Sequence, residues 1–143
     1  MLTPEQLMGR WQLLSFTEQG LDGKWFDVMG AQPVGDIAYL PDGYMHVLMG
    51  GSNRPRFRGD WASIPDADRA ACLDRMVSYC GKYSVKGDCV YHHVQVCWIP
   101  NWQGRDLVRQ VSFPKENQLL LRTVPSGGDR PRPAQEVLWQ RPQ

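Results

Sequence analysis

Apolar and polar residues alternate along most of this chain, and in one stretch the spacing turns helical. After a short helical turn over Pro4 to Met8, the run Trp11-Gln-Leu-Leu-Ser-Phe16 within Arg10 to Thr17 is rich in strand formers. A second short strand surrounds Trp25 and Phe26. Asp36 to Leu40 and Tyr44 to Met49 flank Pro41-Asp42-Gly43. Proline presets one dihedral there and glycine accepts a positive φ, which predicts a hairpin. Gly50 to Asp60, with Arg54-Pro-Arg-Phe-Arg58, keeps no period and reads as a long loop. Between Ser63 and Gly81 the apolar positions Leu73, Met76, Val77 and Cys80 fall on one helical face. Ser63 and Asp66 resemble a cap, Asp66 and Asp68 suit the positive end of a helix dipole, and Gly81 supplies a stop. The prediction is one inserted α-helix near residues 64–80. Strands then return as Lys82 to Val85, Cys89 to Ile99, Asp106 to Phe113 and Gln118 to Val124, and Glu136 to Arg141 follows the polar loop Ser126 to Pro133.

Eight to nine strands in mostly antiparallel hairpins make a sheet long enough to curl and close. The predicted fold class is all-β: a single closed or nearly closed antiparallel β-barrel of 8–9 strands with that one helix inserted, spanning 1–143 as one domain. An eight-stranded closed barrel leaves room for one small ligand. The chain has 143 residues, which is short for two domains of ordinary size. Its 16 Lys+Arg against 15 Asp+Glu provide no excess charge to hold a polyanion, so neither nucleic acid nor an acidic membrane is expected as a partner. No apolar stretch approaches the roughly 20 residues that span a bilayer. Because Met1-Leu-Thr-Pro-Glu-Gln does not resemble a secretory signal, a cytoplasmic protein is expected, with Cys72, Cys80, Cys89 and Cys97 as free buried thiols. Their wide spacing does not suit a metal site. The excess lies elsewhere, in 14 Gly, 11 Pro and 6 Trp, and suggests turns closing short strands around large rings.

Gly9-Arg-Trp11 on the first strand resembles the Gly-x-Trp signature of the lipocalin superfamily, in which the tryptophan closes one end of the barrel. Pro33-Val-Gly35, Tyr39-Leu-Pro-Asp-Gly-Tyr-Met45, Arg54-Pro-Arg-Phe57, Tyr79-x-Gly81-x-Tyr83, His92-His-Val94, Pro100-Asn-Trp102-x-Gly104 and Arg109 follow in order. Together they resemble the small single-domain lipocalin-like family of bacteria and fungi. The resemblance implies a barrel that carries an apolar ligand or shapes a reactive intermediate in a biosynthetic cyclisation or isomerisation. It also marks departures: Gln95 where an acidic residue is common, Cys97 where a small hydroxyl residue is common, and Leu107 where a glutamine is common.

Strand alternation selects the candidate chemistry. Val90, His92, Val94, Val96 and Trp98 share one face of their strand, and Tyr91, His93, Gln95 and Cys97 the other. The apolar face should turn inward and carry His92 into the cavity; the family pattern, polar on the other face, favours His93. Either imidazole suits proton shuttling near neutral pH. Tyr44 or Tyr39 is the natural second member, a phenol that donates to a ligand carbonyl or developing enolate. The alternative for either histidine is a hydrogen-bonded structural role, and for the tyrosines a simple bridge between core and rim. Arg54, Arg56 and Arg58 alternate in the long loop and offer bidentate pairing to a ligand carboxylate, or simply solvated charge. The resemblance adds Arg109 as a further ligand-binding candidate. Trp98 and Trp102, with Trp25 and Trp61, offer a stacking wall, while Trp11 and Trp139 fill the closed end with Arg122 or Arg141 stacked on a ring.

The expected function is binding of a small, mostly apolar molecule, aromatic or polyketide-like. The alternative is a cofactor-independent isomerase or cyclase of natural-product biosynthesis, and a third option is purely structural. The neutral charge balance suggests a ligand enclosed by rings rather than captured by charge. Outward apolar positions such as Val108 or Val111, depending on strand parity, would allow a homodimer.

Overall fold

The structure, a computed structural model, describes residues 1–124 and 133–143. The polar loop expected over Ser126 to Pro133 lies, except for Pro133, outside the described residues. A short helix α1 (Pro4–Leu7) precedes strands β1 (Gly9–Gln19), β2 (Trp25–Asp27), β3 (Pro33–Tyr39) and β4 (Tyr44–Gly51). A helical turn at Trp61–Ser63 and helix α2 (Asp66–Ala71) lead into β5 (Met76–Lys86) and β6 (Cys89–Cys97). A second turn at Pro100–Trp102 leads to β7 (Asp106–Ser112), β8 (Gln118–Thr123) and β9 (Gln135–Gln140). The sheet order is β2-β1-β3-β4-β5-β6-β7-β8-β9, and β1 also pairs with β9. That last ladder, from Gln12 against Gln140 to Glu18 against Gln135, closes eight antiparallel strands into a barrel and removes the sheet edge. The ninth strand, β2, is an extra strand on the far end of β1.

The helix predicted near residues 64–80 is a correction. Only Asp66–Ala71 is α-helical, and Met76 onward is strand. Leu73, meant for its buried face, is 52% exposed. The same segment also satisfies a period of two, since Tyr79, Gly81 and Tyr83 are buried in alternation. Two full ladders, to β4 and to β6, decide in favour of that period. Gly81, predicted to stop the helix, instead sits within the strand at a register shift against β6. A Cβ there would lie 1.9 Å from the carbonyl oxygen of His93, so no other residue fits without moving the backbone.

That shift also corrects the uniform alternation expected along Cys89 to Ile99. Val90, His92 and Val94 face inward, the ladder then skips Gln95, and Cys97 becomes the buried residue while Val96 is 61% exposed. A bulge adds one residue to one strand, so every side chain beyond it changes face. β1 has a comparable irregularity between Leu13 and Ser15, moving the inward series from Trp11 and Leu13 to Phe16.

One end of the barrel is filled. Trp11 is buried there and donates its Nε1–H to the Leu7 carbonyl oxygen at 2.7 Å. The Arg141 guanidinium stacks 4.0 Å from the ring centre, and donates to the Met8 and Gln6 carbonyl oxygens. The chain termini are thereby fastened across this end, which leaves the interior above Trp139 for a cavity.

Candidate functional site

The barrel holds a cavity of about 200 Å³. Ile37, Leu121 and Trp139 line it toward the Trp11 end; Arg75, Trp98 and Trp102 line it toward the other. Trp98 and Trp102 meet edge to face at 4.9 Å, the one pair of the predicted stacking wall that the fold assembles. Trp25 and Trp61 are exposed on the surface, with Trp61 62% accessible.

Three polar side chains meet inside. His92, only 1% exposed, lies between two phenols: Tyr39 Oη is 2.8 Å from its Nε2 and Tyr79 Oη is 2.8 Å from its Nδ1. Alternation along β3, β5 and β6 turns all three inward. Burial, reinforced by the positive charge of Arg109 and by His93, pushes the His92 pKa down to about 3. Burial likewise pushes Tyr79 up to about 12 against the pull of Arg109, and raises Tyr39 well above the usual phenol range, helped by its neighbour Tyr79. All three groups are therefore neutral at pH 7, and the imidazole has one N–H donor and one acceptor nitrogen. Tyr79, His92 and Arg109 line the cavity, whereas Tyr39 stands behind His92 and reaches the site through it.

The other sequence-selected residues are scattered. Tyr44 is a correction: on β4 the inward positions are Met45, Val47 and Met49, so Tyr44 points outward, with the Lys82 ammonium 5.9 Å from its ring centre. Arg54 and Arg56 are also corrections, being exposed on the loop outside the cavity. Arg54 Nη2 is held by the Cys72 carbonyl oxygen at 2.6 Å. His93 faces solvent; its Nδ1 is 2.7 Å from Asp106 Oδ1 and its Nε2 2.8 Å from Ser84 Oγ. That connectivity matches a serine-nucleophile triad, yet none of the three lines the cavity and water reaches each bond. Of the two parity alternatives on β7, Val111 is buried, which leaves Val108 on the outward face; Val34, Leu48 and Val96 are exposed on other strands.

Tyr79 is the residue that sequence reasoning missed. Its signal was present in Tyr79-x-Gly81-x-Tyr83, a period-two series hidden inside a run that also satisfied helical spacing. Among the described residues no cluster of three His, Cys, Asp or Glu side chains is placed to hold a metal ion. All four cysteines are free thiols, but only Cys97 is buried, whereas burial of all four was expected.

Comparison with protein families matches residues 8–141 to the lipocalin-like domain. The chain belongs to that family. Among curated proteins none matches it. Among solved structures this lipocalin-like barrel is similar to a redesigned beta barrel, at 18% identity and a TM-score of 0.46, over 98% of this chain and 95% of that one. A closed lipocalin-like barrel with an internal cavity is suited to holding a small molecule. No helix of the described residues is long and apolar enough to cross a membrane.

Proposed function

We propose that this barrel binds one small, mostly apolar molecule, aromatic or polyketide-like, in the cavity between Trp139 and Trp98. The observation that carries the reading is a cavity of about 200 Å³ with apolar walls onto which Tyr79, His92 and Arg109 converge. Ligand pockets are mostly apolar with a few placed polar groups, and run from roughly 300 Å³ upward. At this size the occupant is compact, on the scale of one or two fused rings. Native mass spectrometry of the purified protein should show a copurifying mass that denaturation releases. Val47→Phe, which fills the cavity from β4, should abolish it; retention of the mass by that variant would place the ligand elsewhere.

The second reading, a cofactor-independent isomerase or cyclase, draws support from the Tyr79 hydroxyl beside His92. A histidine whose pKa lies near 3 is a weak general base at neutral pH. The catalytic role that suits the site is therefore stabilisation of a developing enolate by Tyr79 and Arg109. If turnover exists, Tyr79→Phe should lower kcat and His93→Ala should leave it intact; equal effects of the two would remove this reading. The same proposal has the protein working in the cytoplasm, where its thiols stay reduced. It allows a homodimer through Leu48 and Val96, which sedimentation of wild type and Leu48→Lys would test.

A further inference from the structure

The polar lining of the cavity is one-sided. Tyr39 is fully buried, its ring packed edge-on against Tyr83 at 4.9 Å, and among the described residues its hydroxyl has no partner except His92 Nε2. Leaving a buried O–H donor unpaired is costly, so Tyr39 spends its proton on Nε2. The neutral imidazole then has its N–H at Nδ1, and that N–H donates to Tyr79 Oη. The proton of Tyr79 itself is left over. Since Tyr79 lines the cavity and Tyr39 does not, the chain of three delivers one O–H donor to the ligand.

Arg109 adds more donors of the same kind. β7 turns it inward with Leu107 and Val111, and among the described residues its guanidinium makes one hydrogen bond, to the Val108 carbonyl oxygen at 2.9 Å, and no ion pair. A guanidinium has five N–H donors. The indole N–H groups of Trp98 and Trp139, whose rings also line the cavity, are buried without an acceptor among the described residues. Against these, both His92 nitrogens are occupied, and beyond the Tyr79 phenol the lining side chains have one oxygen acceptor, the amide of Gln135. Gln135 Nε2 is itself held by Glu18 at 2.6 Å.

Resting on the binding reading above, we propose that the ligand has an anionic oxygen headgroup, a carboxylate or the enolate of an acidic enol, received by the Arg109 guanidinium and the Tyr79 hydroxyl. Its rings lie against Trp98 and Trp139. The anion supplies the acceptors that the wall lacks and neutralises a guanidinium that the barrel leaves without a counter-charge among the described residues.

Three bicyclic probes of similar size test this at pH 7.5 by calorimetry: 2-naphthoate, 2-hydroxy-1,4-naphthoquinone as the acidic enol, and the uncharged 2-naphthalenemethanol. At least one of the two anions should bind tenfold or more tighter than the alcohol, and which of them leads tells carboxylate from enolate. Arg109→Met, which keeps the length and removes the charge, should erase the preference and leave the alcohol's affinity within about twofold. Tyr79→Phe should weaken the anion several-fold, and nitrogen NMR should find the His92 proton on Nδ1. Equal affinity for all three probes, survival of the preference in Arg109→Met, or a proton on Nε2 overturns the headgroup assignment and leaves small-molecule binding standing. Failure of every probe to bind, with no copurifying mass, overturns both.

Discussion

His92 and His93 are consecutive residues, and each has both ring nitrogens hydrogen-bonded, yet they inhabit different chemistry. The inner array, Tyr39–His92–Tyr79, is buried in the barrel and neutral at pH 7. The outer one, Ser84–His93–Asp106, has bond lengths as short or shorter, 2.7 and 2.8 Å, but lies in solvent. Hydrogen-bond geometry alone would rank the outer array as the better catalytic candidate. Burial reverses the ranking, because bulk water competes freely for the bonds outside and far less for those inside.

Removing the imidazoles gives the largest separation. His92→Ala leaves a cavity and two phenols without their partner, and should destabilise the barrel by about 3–5 kcal/mol. His93→Ala should cost less than about 1 kcal/mol, as exposed pairs do. Urea unfolding of both variants measures this, and similar losses would dissolve the distinction between the arrays.

The connection between the two faces comes next in size. Gly81 permits the bulge that separates the inward His92 from the outward-turned Val96, and Gly81→Ala drives a Cβ into the His93 carbonyl oxygen. A loss of about 3 kcal/mol or more is expected, since the obstacle is backbone and cannot rotate away. A thermal midpoint within a few degrees of wild type would show that the register is set elsewhere.

Acid should sharpen the contrast further. The pKa of His92 is lowered in the folded state, so below about 6.5 the unfolded chain takes up a proton that the folded chain refuses until about pH 3. Its contribution to stability is intact above pH 6.5 and declines as pH falls toward 3, by about 1.4 kcal/mol per pH unit at most. His92→Gln should flatten that part of the stability profile relative to wild type, and an unchanged slope would deny His92 its neutral, buried state.

The smallest effect belongs to the edge of the outer array. Ser84→Ala should change stability by less than about 0.5 kcal/mol and leave ligand binding untouched. A measurable loss of binding would connect the outer face to the cavity after all.

Much of this barrel was legible before any coordinates. The hairpin at Pro41-Asp42-Gly43 follows from turn chemistry, and the inward face of Val90, His92 and Val94 from period, although the family pattern pointed to His93. The end-filling Trp11 was implied by the Gly-x-Trp resemblance, with Arg122 or Arg141 for its ring, and the structure selects Arg141. Met76 to Gly81 was not legible, because its apolar residues fit both a helix and a strand, and only pairing on both edges distinguishes them. With that segment misplaced, Tyr79 left the site and the outward Tyr44 took its place. A near-neutral total charge likewise does not say where one inward arginine stands.

What the sequence determined by itself was local: most of the strands, the turns between them, and which ring types line the interior. What only the tertiary structure decided was the phase beyond each bulge and the meeting of Tyr39, His92 and Tyr79. Those three residues belong to three strands, with 53 positions between Tyr39 and His92. Periodicity reports the face a side chain takes on its own strand; the register between strands, set by closure of the whole barrel, fixes what it meets there.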